Sequence, residues 1–275
     1  MRQFKLINAR GVEFDLMRKD AFFHLPDGLG YTVYNEYIVA GSAFVPIASD
    51  ETQTVIAGEM VFAGYEQYSE FVAYVTDDMT LGYKPQGTTW YYKDVTMQSI
   101  GKSEIGSSGR LICPVNFAPS GQWYRTQTFE QAQVDSGAGK VYDYAYPYTY
   151  ADTEVAACIV QNSSNMYAPC RLHIMGPCSA PQWSLTHNGE VIATGEVNVD
   201  IPEGQKLVVD SNPQNMEIGE YTTNNTLVRS VYQLSDFSTG RFLYLPPGES
   251  TIRFSGSGQE DINAYVEVRE IARTV

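Results

Sequence analysis

Apolar and polar residues alternate in short runs along most of this chain. Phe14 and Leu16 fall on one side of an extended segment, Glu13 and Asp15 on the other. Leu111, Cys113, Val115 and Phe117 alternate with Ile112, Pro114 and Asn116. Ile262, Ala264, Val266 and Val268 alternate with Asn263, Tyr265, Glu267 and Arg269. A period of two sends successive side chains to opposite faces, so each run predicts a strand with one buried face. Turn formers separate the runs: Asp27-Gly28, Asn188-Gly189, Pro202-Glu203-Gly204 and Pro246-Pro247-Gly248. Asn188-Gly189 lies between Trp183–His187 and Glu190–Thr194 and predicts a hairpin, because Asn-Gly accepts the positive φ values of a type I′ turn.

One segment departs from this period. Tyr65, Tyr68, Phe71, Val72 and Val75 recur at helical spacing with polar residues between them, which predicts one amphipathic helix over about 64–77, closed by Asp77-Asp78. A lone helix among strands covers one end or face of a sheet. A second departure is the polar stretch Gln131–Lys140, followed by Tyr142, Tyr144, Tyr146, Tyr148 and Tyr150 at every second position. Strict alternation makes that strip extended, with its rings on one side. It is an edge strand or linker packed on its own protein, or a strip facing a neighbouring subunit, where tyrosine is favoured. The expected organisation is mainly β: an N-terminal domain over 1–130 with the helix, a tyrosine-rich linker over 131–150, and a β-sandwich over 151–275.

Composition agrees with strands and narrows the function. Aromatic residues reach 13% and charged residues only 18%, which fits a packed β protein and excludes disorder. The formal net charge is −14, so the surface repels phosphates and anionic membranes, and no specific nucleic-acid binding is expected. Residues 1–127 carry 10 basic and 14 acidic side chains, and residues 128–275 carry 8 and 18, so the acidity belongs mainly to the second part. Met1–Leu6 lead into no apolar segment, and the most apolar stretch, Tyr37 to Ala48, is broken by Gly41, Ser42 and Pro46. Neither a secretory leader nor a membrane span is expected, and the chain reads as a soluble protein made in the cytoplasm.

Candidate chemistry is sparse. Cys113, Cys158, Cys170 and Cys178 show no paired spacing and read as reduced, buried thiols rather than zinc ligands. His24, His173 and His187 lack partners at ligand spacing. Ser99-Ile-Gly-Lys102 matches a bare S-x-x-K pattern, but it lies in or just after a strand and lacks the motifs that accompany it in acyl-enzymes. Asn162-Ser-Ser and Asn224-Asn-Thr226 read as polar turns, and Asp77-Asp78 and Glu260-Asp261 as solvated ends. No catalytic residue, metal site or cofactor is expected, and the chain does not read as an enzyme. Trp90-Tyr91-Tyr92 and Trp123-Tyr124 are core or subunit contacts, or platforms for stacking sugars.

Ordered along the chain are Phe4-Lys5-Leu6-Ile7-Asn8, Gly28-Leu29-Gly30, Gly58 to Phe71, Leu81-Gly-Tyr83-Lys-Pro85, Lys102-Ser-Glu104-Ile105 and Trp123-Tyr124. Tyr146-Pro147-Tyr148, Pro169-Cys170, Trp183-Ser-Leu185 and Pro202-Glu-Gly204 follow. In this order and spacing the chain resembles the distal tail proteins of long-tailed phages that infect Gram-positive bacteria, the streptococcal group in particular. The resemblance implies an N-terminal ring-forming β domain and a C-terminal galectin-like β-sandwich. It implies a homo-hexamer at the tail tip of the virion, assembled in the host cytoplasm. That ring joins the tail tube protein to the tail-associated (Tal) protein, carries receptor-binding proteins and leaves a channel for DNA. Sugar binding is not implied, since His173 is followed by Ile174-Met175 and Trp183 by Ser184-Leu185-Thr186, unlike the galectin motifs.

Expected subunit or domain contacts are Tyr65, Tyr68, Phe71, Lys102, Trp123 and the tyrosines Tyr142, Tyr144, Tyr146 and Tyr148. The competing reading is a carbohydrate-binding module that contacts cell-wall polysaccharide through Trp90, Trp123 or Trp183, and a weaker one is a cell-wall hydrolase.

Overall fold

A computed structural model describes residues 2–131, 156–257 and 262–275. They form two compact units, Met1–Arg125 with Ile271–Val275, and Thr126–Glu270.

The first unit contains β1 (Gln3–Asn8), β2 (Glu13–Asp15), β3 (Ala21–Asp27), β4 (Thr32–Ala40), β5 (Ala43–Thr52), β6 (Ile56–Phe62), helix α1 (Tyr65–Tyr74), β7 (Met79–Lys84), β8 (Tyr91–Ile100), β9 (Leu111–Pro119) and the start of β10 (Trp123–Glu130). Antiparallel pairing runs in the order β3-β6-β9-β8-β7-β1-β2. Just past β2, Leu16 donates its N–H to the Phe4 carbonyl at 3.1 Å and accepts from the Phe23 N–H at 2.8 Å, while Met17 bridges Phe22. These bonds bring the two ends of the row together, and the row curls into a barrel joined there through Leu16 and Met17. Its interior is filled by Phe4, Leu6, Met60, Leu81, Val115 and Phe117, all buried. The alternating run Leu111 to Phe117 is β9, with its apolar members inside as the sequence predicts.

Helix α1 lies on this barrel through one stripe. The Phe71 ring sits 5.3 Å from that of Phe14 and 5.6 Å from that of Phe62. The Tyr74 hydroxyl lies within 2.7 Å of the Leu6 and Val12 carbonyls, and the Asn8 side-chain amide donates to the Tyr74 carbonyl at 3.2 Å. The helix ends at Tyr74, earlier than the sequence suggests. Val75 turns to extended backbone and packs against the core, and Thr76 closes a turn onto the Asp78 carbonyl.

Strands β4 and β5 pair only with each other and form a two-stranded arm outside the barrel sheet. The arm contains the stretch Tyr37 to Ala48, with Gly41-Ser42 at its turn. Just before it, Gly28 has φ +78°, and a Cβ there would lie 2.1 Å from the Val55 carbonyl oxygen. Gly28→Ala is therefore expected to cost more than about 1 kcal/mol in a urea titration. Unchanged stability would show that the two segments can separate freely.

The second unit holds the rest of β10, then β11 (Ala156–Asn162), β12 (Ala168–Met175), β13 (Cys178–His187), β14 (Glu190–Glu196), β15 (Asp200–Ile201), β16 (Gln205–Asp210), β17 (Glu217–Thr222), β18 (Leu227–Ser230), β19 (Tyr244–Leu245), β20 (Gly248–Ser257) and most of β21 (Ala264–Ala272). One sheet runs β18-β17-β16-β12-β21, and the other runs β11-β20-β13-β14. Leu172, Ile174, Leu207 and Val266 from the first meet Cys158, Leu185, Ile252 and Phe254 from the second in one core, which makes the unit a β-sandwich. The predicted hairpin joins β13 to β14, with φ +51° at Asn188 and +82° at Gly189. The fold is mainly β and antiparallel, with one α-helix among the described residues.

Candidate assembly surfaces

The arm carries apolar side chains on both faces and buries almost none of them. Val33, Tyr34, Tyr37, Ile38, Val39, Phe44, Val45 and Ile47 are all exposed. Near its tip Val39 and Phe44 are cross-strand partners, 70% and 74% exposed. An isolated hairpin is marginal in water, and side chains this open gain little by folding there. A continuous apolar surface of this kind marks a contact with another chain.

The residues singled out in the sequence divide into three groups. Tyr65 is exposed on α1, its hydroxyl donates to Glu104, and the Lys102 ammonium stands 5.5 Å from its ring centroid. That bond to Glu104 raises the Tyr65 phenol above its ordinary value. Tyr68 is half-buried, edge-on to Phe62. Phe71, Trp123 and Trp183 are buried within their own units. Phe71 anchors the helix, the Trp123 indole N–H donates to the Leu29 carbonyl at 3.0 Å, and that of Trp183 to the Arg241 carbonyl at 3.2 Å. Of the proposed sugar platforms only Trp90 reaches the surface, and the Lys5 ammonium stands over its ring at 4.7 Å. Tyr142, Tyr144, Tyr146, Tyr148 and Glu260-Asp261 lie outside the described residues.

A second aromatic surface was missed from the sequence. In the sandwich unit the Arg241 guanidinium lies 4.3 Å from the Phe237 ring centroid and 5.1 Å from that of Tyr232, whose hydroxyl it also bonds at 2.9 Å. Phe237 and Leu234 are exposed. The loop has no period, so only its density of aromatics signals it.

The histidines serve structure. His173 is buried, stacks on Tyr265 at 4.2 Å and meets Glu267 at 3.2 Å. Burial holds its pKa below the ordinary value although Glu267 pulls the other way. His187 faces the Glu249 carbonyl and Ser250 at its hairpin. Among the described residues no group of three or more His, Cys, Asp or Glu is placed to hold a metal.

The four cysteines are buried and unpaired. Burial pushes Cys158 up to about 11 and Cys170 to about 12 from an ordinary 9.0. Burial likewise pushes Tyr74 and Tyr221 to about 12 from 10.0. Folded values above unfolded ones mean that this stability is fully present below the unfolded pKa and is lost as pH rises through the folded one. Unfolding free energy is therefore expected to fall between pH 9 and pH 11, read from urea titrations across that range. A flat profile there would contradict the burial of these groups.

A barrel with one helix and a protruding apolar arm is matched over residues 3–120 by the family model of the distal tail protein, N-terminal domain. Residues 3–120 therefore carry the N-terminal domain of the distal tail proteins. A likeness of fold extends beyond that domain. Over 100% of both chains the protein is similar to a chain of the phage P2 baseplate in its activated conformation with calcium, at TM-score 0.70 and 16% identity. The same values hold for that baseplate with strontium. The Dit protein of phage SPP1, a hub of the adsorption apparatus in phages infecting Gram-positive bacteria, matches at TM-score 0.62 and 10% identity, covering 97% of this chain and 98% of that one. At such identities the likeness establishes a shared fold. No curated protein matches the chain by sequence.

Proposed function

We propose that this protein is a distal tail protein, the structural hub of a phage tail tip. Six copies close into a ring between the tail tube protein and the tail-associated protein, with receptor-binding proteins on the ring and DNA passing through its channel. The observation that carries this reading is the apolar arm of β4 and β5, whose side chains gain burial only against another chain. Its occupant is a second copy. A head-to-tail contact repeated with a fixed rotation closes into a ring. The exposed group of Tyr65, Lys102 and Glu104 supplies a smaller polar contact on the same unit. Tyr142, Tyr144, Tyr146 and Tyr148 remain proposed contacts of the 131–150 segment. A net charge of −14 per copy suits a channel that DNA must leave as easily as it enters.

The carbohydrate-binding alternative loses support, because Trp123 and Trp183 are buried and Lys5 covers Trp90. Light scattering after size exclusion, followed by negative-stain microscopy, tests the hub. A ring near six times 30.6 kDa is expected, and a particle twice that mass would be two rings back to back. A monomer at every concentration would overturn the reading.

A further inference from the structure

Strand β8 places a lysine inside the barrel unit. Lys93 shares the inward side of the strand with Tyr91 and Val95, pairs with Leu81 of β7, and is only 5% exposed. Burying an ammonium is costly unless something compensates the charge. No hydrogen bond or ion pair reaches its Nζ among the described residues. What it has is the face of Trp123, 5.3 Å from the centroid, and the more distant charge of Glu51. Burial outweighs that charge and holds Lys93 below the usual lysine pKa.

Lys93 lines a cavity of about 120 Å³ at the root of the arm, together with Tyr31, Glu51, Gln53 and Gln122. Glu51 is already engaged. Gln122 donates its side-chain amide to one carboxylate oxygen, and the Arg273 Nε lies 3.1 Å from the other. Gln122 and Arg273 thus hold Glu51 directly, and Glu51 reaches Lys93 only as a more distant charge. The cavity offers one ammonium with no direct carboxylate partner, in a volume that suits a small planar anion and is too small for a sugar chain or a nucleotide.

We infer that this cavity is a carboxylate-binding socket with Lys93 as its charged base. Carboxylates are also the anion this protein presents most, with 32 acidic side chains against 18 basic ones. The group can come from a free small acid or from an acidic side chain of a second copy, and the inference does not depend on the ring.

Protein labelled with 13Cε-lysine separates these sources by NMR. The Lys93 resonance is assigned by its loss in Lys93→Met or, should that variant not fold, in Lys93→Arg. Dilute protein is titrated with sodium acetate against sodium chloride of equal ionic strength. A saturable shift of that resonance, with an upward move of its titration midpoint, identifies a free carboxylate as a ligand, since a bound anion favours the charged amine. The same shift appearing with protein concentration alone identifies the carboxylate of a second copy. Glu51→Gln removes the competing charge and is expected to tighten acetate binding several-fold. A Lys93 resonance that responds to neither acetate nor protein concentration, or weaker acetate binding in Glu51→Gln, overturns the socket.

Discussion

With Val39 and Phe44 both replaced by aspartate, the protein is expected to stay folded and to form none of the proposed rings. These two residues face each other across the arm and lie far outside the barrel core, so their loss leaves no cavity. Surface substitutions usually change stability by less than about 0.5 kcal/mol, and two like charges facing across a hairpin add up to about 1 kcal/mol, confined to the arm. At an interface the expected effect is much larger. Truncating an apolar anchor costs about 2 kcal/mol or more per contact, and two buried carboxylates add their desolvation. A closed ring repeats that loss at every subunit boundary. Light scattering is expected to give 30.6 kDa at all concentrations, with a urea midpoint close to that of the parent protein. Rings that persist in the double variant would remove the arm from assembly. A collapse in stability would show that the arm is part of the fold.

The second large effect separates two residues of one helix. Phe71→Ala is expected to destabilise the first unit by about 3–5 kcal/mol, because it empties the space between Phe14 and Phe62 and releases the helix. Tyr65→Ala removes an exposed ring with one carboxylate partner and is expected to leave the urea midpoint almost unchanged. Urea unfolding followed by tryptophan fluorescence reports the difference, since Trp90 and Trp123 belong to that unit. Similar costs for the two variants would mean that α1 does not rest on its Phe71 stripe.

That pair also shows how far a linear pattern carries. Helical spacing located the helix but did not separate Phe71 from Tyr65 and Tyr68 on its face. Phe71 points inwards only because β2 and β6 bring Phe14 and Phe62 beneath it, and no spacing along the chain states this. Strands from Leu111 to Phe117 and from Ala264 to Val268 were legible because one face is buried and the other wet. Tyr37 to Ala48 was not legible as an arm. Apolar residues on both faces of a strand look the same whether their own chain or another one covers them. Core and surface roles stayed open for Trp123 for the converse reason, since polar neighbours along the strand do not reveal a ring turned inwards. Lys93 did leave a trace, a cation at an inward position between Tyr91 and Val95. Closure of the barrel through Leu16 rests on backbone bonds, which side-chain patterning does not encode.

The return of residues 271–275 to the first unit has a consequence for synthesis. Ala272 and Val275 pack against the barrel core, and Arg273 holds Glu51 at the root of the arm. The ribosome makes these residues only after the whole of Thr126–Glu270. At ordinary elongation rates that delay is roughly 7–30 s after the barrel strands have emerged. During that interval the nascent barrel lacks its last packing residues and the arm lacks its final tether. The unit that bears the sticky arm thus matures last, although most of it is translated first, and a nascent chain still attached to its ribosome is a poor partner for a finished one. Chains ending at Glu270 are expected to be cut by protease at the arm root faster than the full chain, and equal cleavage rates would show that the tether has no such role.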